Sequence, residues 1–273
     1  MKGFTMLAAV AATAVALTAA AVSSAQAPST LPTLTLSLTG TSITVGGDVQ
    51  SGAVNVSSTS TAKDAEPTLV RLNPGVTADQ LLAAIPHVQD PNEVAQYGSI
   101  VFDADVPHGT KTAQTVLAPG DYLALDTQGD NPTKWPHATF TVTAAAQPAA
   151  LPAAKASVHA MEFGFKSPKT LHRGDLVRFQ NDGFLVHMIA AVKVKNLRDA
   201  KRVTALLKAG KDSKAEKIAT GFTMFMGPVA HGGVEQFTLD AGPGTYVLAC
   251  FMDTEDHREH VQLGMLKTIR IAK

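Results

Sequence analysis

The chain carries the same order of strand and turn signals in both halves, and this repeat limits the folds it can adopt. A Pro-Gly turn leads into an apolar strand at residues 119–126 and again at residues 243–250. Earlier in each half, a strand that starts at a glycine, Gly52 or Gly174, is followed by an apolar strand and a short helix. Repeated short strands with few helices predict two β-sandwiches of one plan, for which a duplication is the simplest explanation.

Local signals place the elements of this repeat. Thr77 and Gln80 form a capping-box pattern that predicts a helix ending near Ile85. A second helix is predicted from Leu197 to Lys208, before Gly210. Alternating apolar and polar residues predict strands within residues 33–45, 160–165 and 176–179. We therefore predict an all-β fold of two tandem Greek-key β-sandwiches, each with one short helix.

An Ala- and Pro-rich stretch without periodicity separates the two halves. We predict a first domain at residues 28–143, a linker at residues 144–157 and a second domain at residues 158–273. Residues 155–273 are expected to fold alone, because their strands can cover one another.

The first residues have the pattern of a secretory signal peptide, predicted at residues 1–25. Lys2 precedes an apolar run from Met6 to Val22, and small residues surround the expected cleavage site after Ala25. An uncleaved anchor is the alternative, because a run of ~17 residues is at the lower limit for spanning a bilayer. We expect a secreted or periplasmic protein with no integral membrane span after cleavage.

Charge composition narrows the classes of partner. Lys+Arg 23 balances Asp+Glu 23, so no net field favours a polyanion, and nucleic-acid binding is not expected. Residues 193–217 are rich in Lys and Arg, which is typical of a solvated helix face. The alternative is that this segment docks an acidic redox partner protein.

The chain has a single cysteine, Cys250, so it cannot form an intramolecular disulfide. In a secreted chain such a thiol is a buried apolar residue, an intermolecular link or a metal ligand.

Three segments of the second half combine possible metal ligands with strand patterns: residues 161–165 (MEFGF), residues 171–181 (LHRGDLVRFQN) with His187, and residues 244–250 (GTYVLAC) with His260 and Met265. Together they resemble the blue-copper cupredoxins of the plastocyanin and azurin type. In that family an early-strand His, a late-strand Cys, and a His and a Met in the following loop bind one copper ion. The resemblance implies that His187, Cys250, His260 and Met265 hold one type 1-like copper.

The chemistry of these side chains agrees with that implication. A soft thiolate, two imidazoles and a weak thioether suit a copper ion that changes oxidation state. The loop from Cys250 to His260 is longer than in the small electron-transfer members of the family and is unusually charged. His257 is an alternative ligand, ranked lower because its spacing to Met265 does not match the family.

The first half lacks the same ligands. The counterpart of His187 is expected at Pro67 or Thr68, that of Cys250 at Asp126 and that of Met265 near Pro136, so this half is predicted to be a spacer or docking module.

These features indicate a copper-binding electron carrier and not an enzyme, because the His-x-His pairs of multicopper enzymes are absent from the sequence. Two alternatives remain open. The first is a metal-free interaction module with a vestigial site. The second is a periplasmic copper carrier that binds monovalent copper through Met224, Met226 and His231.

Overall fold

The computed structural model describes residues 30–47 and 49–273 of the chain. The predicted signal peptide at residues 1–25 lies outside the described residues. Within them, no helix combines the length and the apolar character needed to cross a membrane.

Both halves consist mainly of β-strands connected by short segments. The strands of the first half are β1 (Thr33–Leu38), β2 (Ile43–Gly46), β3 (Gly52–Ala65), β4 (Pro67–Leu72), β5 (Gly98–Asp103), β6 (Val106–Leu117), β7 (Gly120–Asp126) and β8 (His137–Val142). Between β4 and β5 lie helix α1 (Ala78–Ala84) and the 3-10 helices Ile85–His87 and Pro91–Gln96, and a further 3-10 helix, Pro132–Lys134, precedes β8.

The second half continues the same pattern. Its strands are β9 (Ala156–Met161), β10 (Gly164–Lys166), β11 (Thr170–His172), β12 (Leu176–Asn181), β13 (His187–Val194), β14 (Gly221–Val229), β15 (Val234–Thr238), β16 (Gly244–Ala249) and β17 (Leu266–Ala272). Helices α2 (Leu197–Lys208) and α3 (Asp212–Glu216) lie between β13 and β14.

The strands form two sandwiches that share one long sheet. An eight-stranded sheet has the order β10-β9-β12-β15-β6-β3-β1-β2, and β15 meets β6 where Gln236 pairs with Gln114. The other layers are a five-stranded sheet, β11-β17-β16-β13-β14, and a four-stranded sheet, β5-β4-β7-β8. The predicted all-β class is therefore confirmed.

The predicted repeat is visible in strand order and in a side-chain bond. The order β5-β4-β7-β8 in the first half corresponds to β14-β13-β16-β17 in the second. The Tyr122 hydroxyl donates to the carbonyl of Ala118 at 2.8 Å, and the Tyr246 hydroxyl donates to that of Gly242 at 2.6 Å. Each tyrosine bonds four residues back, so both halves fix the same corner in the same way.

Both predicted helices are present. Thr77 and Gln80 make the reciprocal bonds of a capping box at the start of α1. Helix α2 spans Leu197–Lys208, with the Asn196 side chain accepting from the backbone N–H of Asp199. Its buried residues Ala200, Val203 and Leu207 pack in a hydrophobic cluster with residues of β13 and β16.

Two of the stretches with alternating residues are hairpins: residues 33–45 contain β1 and β2, which pair antiparallel, and residues 160–165 contain the end of β9 and the start of β10. Alternation across residues 160–165 indicates a single strand, but β9 ends at Met161 and the chain reverses through Glu162 and Phe163 into β10. Phe163 adopts φ 55°, a left-handed conformation that a non-glycine residue rarely takes. Gly164 closes this turn opposite Met161, but the alternation of apolar residues continues across it, which explains the wrong prediction.

The stretch predicted as a linker contacts both halves. The Ala149 carbonyl accepts from the backbone N–H of Ala53, and the Pro152 carbonyl accepts from the side chains of Arg178 and Gln236. Strand β9 begins at Ala156. The proposed domain boundaries remain a prediction.

Candidate metal centre

Three side chains with metal-binding chemistry meet at one end of the second sandwich. His187 begins β13, Cys250 directly follows β16, and His260 lies in the loop that leads to β17. Strands β13 and β16 are adjacent and antiparallel, with Ala190 opposite Ala249, so the start of one strand lies beside the end of the other. All three side chains are fully buried.

The ligand atoms form a compact triangle. His187 Nδ1 and His260 Nδ1 are 3.1 Å apart, and Cys250 Sγ lies 3.3 Å from His260 Nδ1 and 3.8 Å from His187 Nδ1. A point equidistant from three atoms with these separations is about 2.0 Å from each, close to metal–nitrogen and metal–sulfur bond lengths in proteins. Among the His, Cys, Asp and Glu side chains of the described residues, these three lie close enough together to share one metal ion.

Burial keeps both imidazoles neutral. It lowers the pKa of His187 to about 4, with the neighbouring His260 adding to the effect, and it also lowers the pKa of His260. The Nε2 atoms of both rings are buried without a hydrogen-bond partner in the described part of the chain. Neutral imidazoles whose Nδ1 atoms converge are in the form that binds metal ions.

The thiol of Cys250 is protected by the same burial. Burial raises its pKa to about 12. The backbone N–H groups of Met188 and Met252 donate to the sulfur and lower the pKa, but by less than burial raises it. A bound cation reverses this preference and favours the thiolate. The donor set therefore fits a soft or borderline metal ion.

Met265 lies close to the same site in sequence and in the core. It is fully buried in the hydrophobic cluster that contains Cys250, and its backbone N–H donates to the carbonyl of His260 at 2.9 Å. Its role as a weak fourth ligand remains a prediction.

His257 is placed differently from His260. It is exposed, has φ 56° and lines an acidic cleft with Asp253 and Glu255. The structure brings His260, and not His257, to His187 and Cys250.

The loop before His187 is fixed by a buried amide. Asn181 is fully buried; its Nδ2 donates to the carbonyls of Leu185 and Val229, and its Oδ1 accepts from the N–H of Gly183. A Cβ at Gly183 would lie 2.6 Å from His187 Nε2, so a side chain there would displace the ring. These contacts set the position of the imidazole.

Glu162 supports His187 from the reversal between β9 and β10, a role that the sequence did not reveal. Its Oε1 accepts from the backbone N–H groups of Phe184 and Leu185 and lies 3.7 Å from His187 Nε2. Burial raises the pKa of Glu162, but hydrogen bonds from backbone N–H groups outweigh this and hold it below the ordinary value. The group therefore stays a carboxylate that faces the outer edge of the imidazole.

Asn92, in the first half, is a second contact that the sequence did not reveal. Its Oδ1 accepts from the backbone N–H of Val186 at 2.7 Å, and its Nδ2 donates to Asp90 Oδ1 at 2.7 Å. Val186 directly precedes His187, so the first half helps to hold the loop that leads into His187.

The first half has no equivalent site in its described residues. Strand β4 begins at Pro67, as β13 begins at His187, and Asp126 ends β7, whereas Cys250 directly follows β16. The counterparts given from the sequence, Pro67 or Thr68 for His187 and Asp126 for Cys250, remain predictions. The Asp126 side chain instead accepts from the backbone N–H of Glu66 at 2.9 Å.

The residues of the proposed copper-carrier site have other contacts. Met226 is fully buried in the core and Met224 packs against it. His231 Nδ1 lies 2.9 Å from the carbonyl oxygen of Gly183, and its ring stacks on Phe184.

Comparison with known proteins gives structural likenesses at low identity. Neither a family model nor a curated protein matches the chain. A reduced auracyanin from Roseiflexus castenholzii matches at 22% identity over 43% of this chain and 95% of that one, with a TM-score of 0.27. A copper nitrite reductase from Thermus scotoductus matches at 13% identity over 89% of this chain and 68% of that one, with a TM-score of 0.25. A copper nitrite reductase from Nitrosomonas europaea matches at 11% identity over 88% of this chain and 93% of that one, with a TM-score of 0.24.

By its own strand order the second half is a β-sandwich, and its buried His187, Cys250 and His260 form a cluster whose nitrogen and sulfur donors suit one copper ion.

Proposed function

We propose that this protein is an exported one-electron carrier with one copper ion held by His187, Cys250 and His260, with Met265 as the weak fourth ligand. The observation that carries the proposal is the buried triangle of two Nδ1 atoms and one Sγ atom with sides of 3.1 to 3.8 Å. Copper bound there would supply one-electron chemistry through its cupric and cuprous states.

Burial of the ligand residues supports electron transfer over catalysis. His187, Cys250, His260 and Met265 all have 0% exposed surface, so no substrate can approach the cluster directly. Catalytic metal sites keep an open position for water or substrate. The packing also excludes water from the thiol, which protects it from oxidation.

The proposal includes a location outside the cytoplasm and an acidic redox partner protein. The signal-peptide pattern at residues 1–25 supports a secreted or periplasmic location. Lys201 and Arg202 are exposed on α2, which is consistent with docking of an acidic redox partner.

Voltammetry of the copper-loaded chain tests the proposed role. We expect a reversible one-electron wave, because a rigid, buried ligand set changes little between oxidation states. Cys250→Ser removes the thiolate and should abolish that wave. A chain that binds one copper without a reversible wave would contradict the role as an electron carrier and favour a copper-carrier function.

A further inference from the structure

A second candidate site lies in the first half, on the face of β4, β5 and β7 that α1 covers. It is a cavity of about 310 Å³, within the range of small-molecule sites. Its walls are mostly apolar and include Leu81, Val88, Ile100 and Trp135. Pro228 of the second half also lines it.

Apart from Gln89, the polar residues that line the cavity form one group. Glu66, Thr68, Asp103 and Thr127 line it together. Asp103 is only 3% exposed, and its Oδ2 accepts from the Thr68 hydroxyl at 2.5 Å. Its Oδ1 packs against Gly227 of the second half and has no hydrogen-bond partner in the described part of the chain. A buried carboxyl oxygen without a partner is costly for the protein unless a ligand supplies a donor.

A cation in the cavity would stabilise the ionised forms of Asp103 and Glu66, which burial in the protein alone disfavours. Burial raises the pKa of Asp103 well above its ordinary value, and the neighbouring Glu66 raises it further. Burial, Asp105 and Asp126 in turn raise the pKa of Glu66. Lys111 is close enough to offset part of this negative charge, but its ammonium donates to the Asp105 carbonyl at 2.9 Å.

Trp135 gives the cavity an aromatic wall. Its indole N–H is already bonded to the carbonyl of Gly129 at 2.9 Å, so the ring offers the cavity an apolar surface and no free donor. Aromatic faces attract both apolar rings and ammonium groups.

We propose that this cavity binds a small aromatic or aliphatic amine, with the ammonium group toward Asp103 and Glu66 and the apolar part against Leu81, Ile100 and Trp135. The cavity shares no residue with the His187, Cys250 and His260 cluster, so this site does not depend on copper.

Isothermal titration of the copper-free full chain with three probes of similar size tests the proposal. The probes are 2-phenylethylamine, 2-phenylethanol and 3-phenylpropanoate. We expect the amine to bind at least about 10-fold more tightly than the alcohol, because a charged donor makes the stronger bond to a carboxylate. The carboxylate probe should not bind.

Two variants locate the site. Asp103→Asn keeps an acceptor for Thr68 and should reduce amine affinity about 10-fold or more while changing alcohol affinity little. Val88→Phe, at a half-buried loop position, should fill the cavity and block all three probes. Asp130→Asn, an exposed carboxylate nearby in sequence, is the matched control and should bind like wild type.

Three results would overturn the proposal: no binding of the amine, equal binding of the amine and carboxylate probes, or amine binding that survives Val88→Phe unchanged. Circular dichroism on each variant shows whether it is folded, and Val88→Phe keeps the test decisive if Asp103→Asn does not fold.

Discussion

At the residue scale, the proposed copper centre depends on side chains outside the ligand set. Glu162 lies 3.7 Å from His187 Nε2 and also accepts from the backbone N–H groups of Phe184 and Leu185. Carboxylates that face the outer nitrogen of a metal-binding histidine orient the ring and increase its basicity. Glu162 is therefore a positioning residue for His187.

Glu162→Gln tests that role, because it keeps an acceptor for the backbone and removes the negative charge. We expect copper affinity to fall about 10-fold. The reduction potential should rise, since a nearby anion stabilises the cupric state more than the cuprous state. Metal-competition titration and voltammetry measure the two effects.

Glu255→Gln is the matched control, because Glu255 is exposed in the loop after Cys250. It should change the affinity and the potential much less. If Glu162→Gln lowers the thermal midpoint while leaving both copper properties at wild-type values, Glu162 has a structural role only.

At the element scale, the features that sequence predicted are those with local causes. The capping box at Thr77 and Gln80 fixes the start of α1, and the Asn196 cap fixes that of α2. The Pro-Gly turns before β7 and β16 likewise place both tyrosines. Caps and turns depend on neighbours within a few residues, so a sequence pattern is sufficient to find them.

The features that sequence missed depend on distant contacts. The carboxylate of Glu162, in the reversal between β9 and β10, bonds to backbone N–H groups 22 and 23 positions later in the chain. Asn92 bonds to Val186, 94 positions away in the chain. The resemblance could indicate His187, Cys250 and His260, but no local pattern identifies the residues that hold the loop around them.

At the scale of the whole molecule, the two halves meet around buried carboxyl groups. Glu235 on β15 is 1% exposed, and its Oε1 accepts from the backbone N–H of Asp103 on β5 at 3.2 Å. Burial raises the pKa of Glu235 to about 8. The folded protein therefore keeps this proton at pH values where the unfolded chain has released it.

We expect the contribution of Glu235 to the free energy of unfolding, measured as the difference between wild type and Glu235→Gln, to decrease as the pH rises from 4.5, the ordinary pKa of Glu, to about 8. Over this interval the folded state binds more protons than the unfolded state, so raising the pH favours unfolding. Each pKa unit corresponds to about 1.4 kcal/mol, so the total loss should be several kcal/mol. Urea unfolding at a series of pH values measures it.

Glu235→Gln removes the titrating group, so its free energy of unfolding should decrease less than that of wild type between pH 4.5 and about 8. Glu216→Gln, on an exposed position of α3, should follow the wild-type curve. Parallel curves for wild type and Glu235→Gln would show that another group causes the pH dependence.

The central claim for the molecule is that its buried triangle binds copper through a thiolate, and the visible spectrum during Cu(II) titration tests it most directly. Wild type should develop an intense thiolate-to-copper charge-transfer band that saturates at one equivalent, because His187, Cys250 and His260 form a single site. Cys250→Ser should abolish the band, His187→Ala should weaken binding strongly, and His257→Ala should leave the band in place. A wild-type protein that stays colourless with Cu(II), with no copper-dependent rise in its thermal midpoint, would contradict the account.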